Sequence, residues 1–245
     1  MSTLITDFVP AGRGPFAIKL AKPQAGMRLL NVGCFNGALE RHFLEPLGVE
    51  AYGVDLNADA VAFAQQQARD PSRFSVSPAE KLPFENGHFD IVFLLDVLEH
   101  VEDESRTLTE IYRVLKPGGR LVVSVPHDFL NFLDPDDLTR TARNFVRRYI
   151  RKRPLLTHPK HRHYGEAALR GLLRDFSIET VHRSGTPVFW LLAMFYNALA
   201  IPPKLLDPVR KLTNPIENAE YALRLPNGFN IMVTAVKPAV SAVQN

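Results

Sequence analysis

Two segments with unbroken apolar runs set the strongest limit on how this chain of 245 residues can fold. They are Phe89–Leu95 (FDIVFLL) and residues 120–125 (RLVVSV), and both have the length of a strand rather than a helix. Strands that are apolar on both sides are typical of a parallel sheet covered by helices on both faces. Between them, Leu108 and Ile111 recur at helical spacing after Asp103, which can cap a helix. The pattern predicts a strand, a helix and a second parallel strand.

The same alternation runs through most of the chain. Further strand patterns lie at residues 28–32, 51–55, 74–77, 178–181 and 229–236. Helical patterns lie between them: Leu39, Phe43, Leu44 and Leu47 share one face before Gly48, Asn57 can cap a second helix, and residues 165–175 form another. Such alternation predicts one doubly wound α/β domain over residues 1–245, with a core at 1–126, a substrate lid with insertions at 127–228 and a last strand at 229–238.

Composition and cysteine content favour an ordinary globular protein in a reducing compartment. Hydrophobic residues make up 46% of the chain and charged residues 22%. The amino-terminal residues lack the basic-then-apolar profile of a secretory signal. Cys34 is the single cysteine, so the chain cannot form an internal disulfide. These features predict a cytoplasmic location.

Basic residues concentrate in one stretch of the chain. Of the 29 Lys and Arg residues, nine fall between positions 140 and 162, where there is no Asp or Glu. The rest of the chain is therefore acidic on balance, although the formal net charge of the whole is +3. A local basic patch indicates an anionic partner at one place on the molecule.

A glycine-flanked turn follows the first strand pattern. Gly33 and Gly37 bracket it, and Asp55 ends the next strand, where an acid can accept the hydroxyls of a ribose. The spacing is not the G-x-G-x-x-G of dinucleotide folds, and Phe35 would crowd a pyrophosphate. The turn suits a nucleoside with an amino-acid tail, which presents a carboxylate and an ammonium group.

Four ordered motifs carry a resemblance to a known family. They are LLNVGCFNG, YGVDLNADAVAFA, PAEKLPFENGHFDIVFLLDVLEHVED and IYRVLKPGGRLVVSVP, which together span residues 29–126. The chain resembles the class I S-adenosylmethionine-dependent methyltransferases, in the branch that acts on small molecules and lipids and is similar to the methyltransferase type 11 domain family. The resemblance implies a Rossmann-like sheet of seven strands, mostly parallel with the last strand antiparallel, a carboxy-terminal helical lid, and S-adenosylmethionine as cofactor.

The resemblance also implies roles for individual residues. The loop backbone cradles the methionine part, Asp55 binds the ribose, and other residues line the adenine and methyl-donor positions. The implied cofactor-binding set is Asn31, Gly33, Cys34, Phe35, Gly37, Asp55, Leu56, Ala79, Glu80, Leu95 and Asp96. Two positions depart from the family pattern, which usually has an acid in place of Asn31 and a glycine in place of Phe35. Asn31 offers only a neutral acceptor to the cofactor's ammonium group, which predicts weaker binding.

The reaction that the residues favour is O-methylation, with few candidate bases. His127 directly follows the fifth strand, and His163 lies in an H-R-H-Y stretch that resembles related enzymes acting on glycans or quinones. A hydroxyl acceptor needs such a base, whereas positioning alone can support much of an in-line methyl transfer. Cys34 lies within the loop and no Asn/Asp-Pro-Pro-aromatic motif is present, which argues against a nucleobase acceptor. His158, His161 and His163 lack a clear carboxylate partner, and no metal site is expected.

Two carboxy-terminal segments concern the acceptor and its surroundings. Residues 139–153 form an amphipathic pattern with arginines opposite an apolar face, and residues 188–201 are almost wholly apolar. Both patterns suit contact with an anionic membrane surface, and the second segment is too short to span a bilayer. A lid that packs on the domain explains the same patterns equally well.

The expected acceptor is a hydrophobic or anionic small molecule, lipid-linked or glycan in nature. Two alternatives stay open. The basic stretch at 140–162 could grip RNA phosphates in an RNA methyltransferase. Asn31 and Phe35 could instead indicate a cofactor-binding subunit without activity. The acceptor atom and the oligomeric state are not determined by the sequence.

Overall fold

One sheet of seven strands organises the described part of the chain. The computed structural model describes residues 5, 7, 9–128, 162–185 and 203–239, with the backbone alone for 203–211. The strands are β1 (Arg28–Val32), β2 (Glu50–Asp55), β3 (Phe74–Val76), β4 (Phe89–Leu95), β5 (Leu115–Pro126), β6 (Ser177–Ser184) and β7 (Asn230–Val236). Their order is β3-β2-β1-β4-β5-β7-β6, and β7 runs antiparallel to both of its neighbours. The predicted fold class, with its antiparallel last strand, is confirmed.

Five α-helices accompany these strands in the described ranges. They are α1 (Arg13–Ala21), α2 (Ala58–Gln67), α3 (Glu104–Val114), α4 (Glu166–Leu172) and α5 (Pro203–Ala222). The two predicted caps are present: the Asn57 side chain accepts from the Ala60 N–H at 3.1 Å, and the Asp103 side chain accepts from the Arg106 N–H at 2.9 Å. Each cap satisfies a backbone donor that the first helical turn leaves without a partner.

The segment after the glycine loop departs from the predicted regular helix. It forms a π-helical turn over Glu40–Leu44 and a 3₁₀ turn over Glu45–Leu47. Pro46 has no N–H to continue an α-helical ladder, which accounts for the tighter final turn. Leu47, which was predicted to share one helical face with Leu39, Phe43 and Leu44, is 48% exposed.

The core lies in two layers on the two faces of the sheet, because successive strand residues point to opposite sides. Leu30 and Leu94 belong to the cluster on the α3 face. Leu29 and Phe93 belong to the cluster on the other face, together with Phe16 of α1. The central strands are therefore buried on both sides, as their unbroken apolar runs predict.

The order of the strands reverses direction between β1 and β4. Asn31 pairs with Phe93 and Val32 with Leu94, so the carboxyl ends of these parallel strands lie side by side. Ligands of open α/β sheets bind beyond the carboxyl ends of the strands at such a switch point. The topology therefore places the glycine loop and the end of β4 at one site.

Helices α1 and α5, which the sequence patterns did not predict, lie together at one side of the fold. The Gly12 N–H, just before α1, donates to the Asn218 side chain of α5 at 2.7 Å. Strand β6 lies within the region predicted to form the lid, yet it belongs to the sheet. The amphipathic segment at 139–153, the apolar segment at 188–201, and His158 and His161 lie outside the described residues.

Candidate functional site

The glycine loop turns tightly against its neighbours directly after β1. Gly33 has φ +82°, and a Cβ there would overlap the Val97 side chain. Gly37 has φ +68°, and a Cβ there would come within 2.9 Å of the Phe74 ring. Both positions lie in the left-handed region that glycine tolerates best. The Gly33 N–H donates to the Val54 carbonyl at 2.8 Å, which fixes the loop to β2.

Phe35 and Asp55 are joined directly across the loop. The Phe35 N–H donates to Asp55 Oδ2 at 2.8 Å, and the Asn57 N–H donates to Asp55 Oδ1 at 2.8 Å. A carboxylate oxygen can accept more than one hydrogen bond, so both oxygens retain capacity for a ligand hydroxyl. Phe35 adopts φ 49° although it is not glycine, and 43% of it is exposed. Phe35 therefore lies in the left-handed region, which residues with a Cβ rarely adopt.

The residues predicted to contact the adenine, Leu56, Ala79 and Glu80, lie at the same edge of the sheet as Asp55. Leu56 is 71% exposed at the end of β2, where a flat ring could cover it. Ala79 is buried, and Glu80 Oε1 accepts from the Glu102 N–H at 3.0 Å. Glu80 is therefore held by the segment that follows β4. The structure brings these residues to the same edge of the sheet as the loop.

Cys34 is a buried member of the loop. Burial raises the pKa of its thiol, and the nearby carboxylates of Glu40 and Asp55 raise it further. A neutral, buried thiol is a poor nucleophile. The chemistry of Cys34 is therefore that of a packing residue.

A cavity of about 620 Å³ opens beside the loop, which is within the usual size range of small-molecule sites. Six residues of the predicted set line it: Asn31, Gly33, Cys34, Phe35, Leu95 and Asp96. The other five, Gly37, Asp55, Leu56, Ala79 and Glu80, belong to the same edge of the sheet but are not lining residues. The opposite side of the cavity carries polar and aromatic side chains: Arg13, Glu99, His100, Glu217, Tyr221 and Phe229. We call the glycine loop with the predicted cofactor set the first wall, and these side chains, to which the sequence motifs gave no site role, the second wall.

Asp96, at the end of β4, is fixed from several sides. Its Oδ1 accepts from the Ser124 hydroxyl at 2.6 Å and from the Asn230 amide at 3.4 Å. Its Oδ2 forms an ion pair with the Arg13 guanidinium. Asp96 has φ 53°, a conformation that a short polar residue tolerates better than most. These partners hold one carboxylate at the junction of the two cavity walls.

Asn31 lines the cavity while its amide group binds a buried acid. The Asn31 Nδ2 group donates to Glu40 Oε1 at 2.8 Å. Glu40 is fully buried, and burial raises the pKa of its carboxyl to about 7. The sequence motifs did not identify Glu40, because it lies beyond the glycine loop in the turn that follows.

The two predicted catalytic histidines lie apart. His127 is held by the backbone of Gly228, whose carbonyl oxygen lies 2.8 Å from His127 Nδ1. The other ring nitrogen, Nε2, lies 3.5 Å from Asp128 Oδ1. It adjoins Pro126, which lines the cavity, but is not itself a lining residue. His163 lines a separate concavity with Glu104 and Arg162. The structure therefore does not bring His163 to the cavity that holds the loop.

Sequence reasoning missed the residues of the second wall as site residues. Arg13, Glu217 and Tyr221 belong to helices that were not predicted. His100 lies in the LEHV stretch shortly after the fourth strand, and that position could have identified it. The structure places it in the cavity wall.

Within the described residues, no group of three His, Cys, Asp or Glu side chains could hold a metal ion. No helix there is long and apolar enough to cross a membrane.

The part of the chain that carries the first wall is similar to known methyltransferases. Residues 30–123 match the family described as a methyltransferase domain. The chain is 35% identical over 115 residues to the ubiquinone/menaquinone biosynthesis C-methyltransferase UbiE of Geotalea daltonii, covering 44% of this chain and 49% of that protein. It is 34% identical over 102 residues to the chloroplastic tocopherol O-methyltransferase of Arabidopsis thaliana, covering 39% of this chain and 29% of that protein. It spans less than two thirds of the length of the curated relatives it matches.

The whole fold also has a solved counterpart. A structure described as a SAM-dependent methyltransferase from Methanosarcina mazei aligns with 96% of this chain and 100% of its own, with a TM-score of 0.59 and 22% identity. At that identity the likeness shows the fold. The sequence matches end near β5, so the second wall of the cavity lies mostly outside them.

Proposed function

The chain belongs to the class I S-adenosylmethionine-dependent methyltransferases, and on that premise we propose that it methylates a hydroxyl oxygen of a small-molecule acceptor. The cavity beside the glycine loop carries this proposal, because its first wall holds the family motifs and its second wall holds a histidine. When bound, the cofactor supplies an electrophilic methyl group on a sulfonium. The acceptor hydroxyl must approach that methyl in line and lose its proton.

The residues of the first wall fit the cofactor. Gly33 and Gly37 give a close turn in which an added Cβ would meet other side chains. Both oxygens of Asp55 keep capacity for the ribose hydroxyls, and exposed Leu56 offers an apolar surface to the adenine. The remaining members of the proposed cofactor set follow from the family positions: Asn31, Cys34, Phe35, Ala79, Glu80, Leu95 and Asp96.

His100 is the base that this proposal favours. It lines the cavity beside Glu99, at the end of β4 where the methyl donor would lie. A neutral imidazole can accept the proton of an acceptor hydroxyl. The position of His100 on the cavity wall supports this role more directly than that of either predicted histidine.

His127 is the second candidate base. Its Nδ1 lies 2.8 Å from the Gly228 carbonyl, an arrangement in which Nδ1 carries the proton and Nε2 is the acceptor. The residue borders the cavity through Pro126 and Phe229. His163, which lines a separate concavity, is not proposed as the base.

The second wall also limits the acceptor. Tyr221 and Phe229 provide aromatic surface, while Asp96, Glu99 and Glu217 provide carboxylates. This mixture suits a hydroxylated ring better than a fully apolar chain, because carboxylates accept hydrogen bonds from hydroxyls. Arg13 offers one guanidinium, which suits an acceptor that also carries an acidic group. We therefore propose a quinol-like or glycan hydroxyl acceptor.

Contact with a membrane surface is a separate proposal, supported by sequence alone. Its basis is the arginine-rich pattern at 139–153 and the apolar pattern at 188–201, both outside the described residues. Co-sedimentation with vesicles of anionic lipid, compared with gel shifts on RNA, tests it. Binding to vesicles supports a peripheral enzyme in the cytoplasm, and RNA binding favours the nucleic-acid alternative.

The central experiment measures the donor and the acceptor separately. Calorimetric titration with S-adenosylmethionine should show binding, and a screen with methyl-labelled cofactor should then transfer label to hydroxylated aromatic or glycan compounds. Absence of cofactor binding would contradict the proposed function. Binding without transfer to any acceptor would favour the non-catalytic subunit, and label on carbon or nitrogen would contradict O-methylation.

A further inference from the structure

A buried carboxylate without a matching cation lies directly behind the cavity wall. Glu40 is 0% exposed, and its Oε1 accepts from the Asn31 amide at 2.8 Å. Its Oε2 is buried and has no hydrogen-bond partner among the described residues. Carboxylates are rarely buried in this way, because the loss of hydration is compensated only by good partners.

The neighbouring groups compensate that burial only in part. Arg41 and a backbone hydrogen bond favour the charged form of Glu40. The Arg41 guanidinium nevertheless donates elsewhere, from Nη1 to the Asn36 carbonyl and from Nη2 to Asp7, both at 2.6 Å. Glu45 adds a like charge and pairs with Arg69 instead. Burial outweighs these contributions, so the pKa of Glu40 stays raised.

The hydrogen bond between the two side chains also fixes the orientation of Asn31. Its Nδ2 group is directed to Glu40, so the carbonyl oxygen Oδ1 is the part of the amide left for the cavity that Asn31 lines. An oxygen there can accept from an ammonium group, whereas an NH₂ group would repel it. Glu40 thus fixes the Asn31 amide in the orientation that leaves its oxygen for the ammonium group.

We propose that Glu40 is a positioning residue of the cofactor site: it orients Asn31 and supplies, from behind it, the negative charge that position 31 itself lacks. The inference rests on the proposed function, since it assumes S-adenosylmethionine as the ligand. That cofactor is cationic at both its ammonium and its sulfonium groups. Asn31 and Glu40 together then replace the acid that is usual at position 31, so the site keeps a negative charge.

A pH dependence of cofactor binding follows from this arrangement. Burial raises the pKa of Glu40 to about 7, so the free protein carries a mixture of protonated and charged Glu40 at neutral pH. A bound cation favours the charged form and lowers the pKa, and the proton passes to the solvent. The affinity for the cofactor should therefore be low at a pH below the pKa of Glu40 in the free protein. It should rise as the pH increases through that pKa. The expected loss between pH 7.5 and pH 6.0 is roughly 5-fold for this single group.

The test is calorimetric titration of S-adenosylmethionine into the full chain and three variants. Glu40→Gln should bind about 10-fold more weakly at pH 7.5 and lose most of the difference between pH 7.5 and pH 6.0. The double variant Asn31→Asp/Glu40→Gln, which returns the acid to position 31, should recover affinity to within about 2-fold of the original chain. Glu45→Gln is the matched control, an acid five residues away that pairs with Arg69, and it should bind like the original chain.

Proton release provides a readout that needs no variant. Titration at pH 6.5 in buffers of different ionisation enthalpy should show release of more than about half a proton per cofactor bound. The cofactor's own amine, with an ordinary pKa of about 7.7–8.0, contributes little at that pH. If Glu40→Gln does not fold, as circular dichroism would show, this measurement on the original chain still decides the question.

The outcomes separate the inference from the function on which it rests. No binding by the original chain contradicts the proposed function. Normal binding by the original chain, with unchanged affinity and pH profile in Glu40→Gln, overturns only the role of Glu40. Absence of proton release at pH 6.5 overturns it as well, and failure of the double variant to recover affinity contradicts the relocation of the acid.

Discussion

The two walls of the cavity are held together in different ways. On the first wall, backbone N–H groups of the loop bind the neighbouring strand: the Phe35 N–H donates to the Asp55 carboxylate, 20 positions away, and the Gly33 N–H donates to the Val54 carbonyl. Around the second wall, groups far apart in the sequence meet. The Asn230 and Ser124 side chains are 106 positions apart, and the Gly12 N–H donates to Asn218 over 206 positions.

This difference has a functional consequence. The loop donors are backbone N–H groups, so a change of side chain at position 33 or 35 leaves these donors in place. Side-chain contacts over long separations change with each substitution, so the second wall can vary from one enzyme to another. A constant donor site beside a variable acceptor site is how one fold serves many acceptors. The comparison predicts that substitutions on the two walls affect different measured quantities.

The largest expected effect belongs to the first wall, at Asp55. Replacement by Ala removes both carboxylate oxygens, each of which would bond a ribose hydroxyl and already holds a backbone N–H. Charge-assisted hydrogen bonds contribute about 1.5–3 kcal/mol each, so the Kd for S-adenosylmethionine should rise by at least about 100-fold. Calorimetric titration of S-adenosylmethionine into the variant measures this Kd.

Asp59→Ala is the control for that prediction. Asp59 is an exposed acid in the first turn of α2, close in sequence and outside the hydrogen bonds of the loop. It should leave the Kd within about 2-fold, as for an ordinary surface substitution. Tight binding by Asp55→Ala would break the assignment of the first wall to the cofactor.

The walls also differ in how far the sequence could predict them. Strands β1 and β4, the caps Asn57 and Asp103, and the loop glycines all have local signals, because apolar runs, caps and turns depend on nearby residues. The second wall depends on α5, whose interior contains Pro215, a residue that argues against a helix. The ion pair of Arg13 with Asp96 requires the folded chain, and no local pattern encodes it. Segments at 139–153 and 188–201 stay as predictions from sequence.

Replacement of His100 should affect the turnover rate and not the affinity for the cofactor, in contrast to replacement of Asp55. If it accepts the hydroxyl proton, His100→Ala should lower kcat by about 100-fold, within the usual range for a general base. The Kd for the cofactor should stay within about 2-fold, because the imidazole lies on the second wall. Steady-state kinetics with the acceptor found by labelling, together with titration of the cofactor, measure both quantities.

His127→Ala is the contrasting variant for the choice of base. A smaller loss of kcat in this variant than in His100→Ala supports His100 as the base. The reverse order would assign the role to His127, whose Nε2 is left as the acceptor by the contact of Nδ1 with Gly228. A loss of cofactor affinity in His100→Ala would contradict the separation of the two walls.

Arg13 should have a smaller effect, and only on the acceptor. Arg13→Met keeps the length of the side chain and removes the guanidinium that pairs with Asp96. A partly exposed charge pair contributes about 0.2–1 kcal/mol, so loss of the guanidinium should raise the KM for an acidic acceptor by up to about 5-fold and change the cofactor Kd by less than about 3-fold. Lys19→Met, on an exposed position of the same helix, is the control. Equal KM values in both variants would show that Arg13 does not contact the acceptor.

The smallest expected effect tests the backbone of the first wall at Phe35. Its φ of 49° costs a residue with a Cβ about 1–2 kcal/mol, whereas glycine avoids that cost. Phe35→Gly and Phe35→Ala both remove the ring, so the difference between them isolates the backbone. Glycine loses more conformational freedom on folding, which offsets about 0.4–1 kcal/mol of its advantage. The free energy of unfolding should therefore be higher for the glycine variant by about 0.5–1 kcal/mol, as chemical denaturation would measure. A more stable alanine variant would mean that the loop relaxes away from the left-handed turn, and that the first wall is less fixed by its backbone than its hydrogen bonds to Asp55 and Val54 indicate.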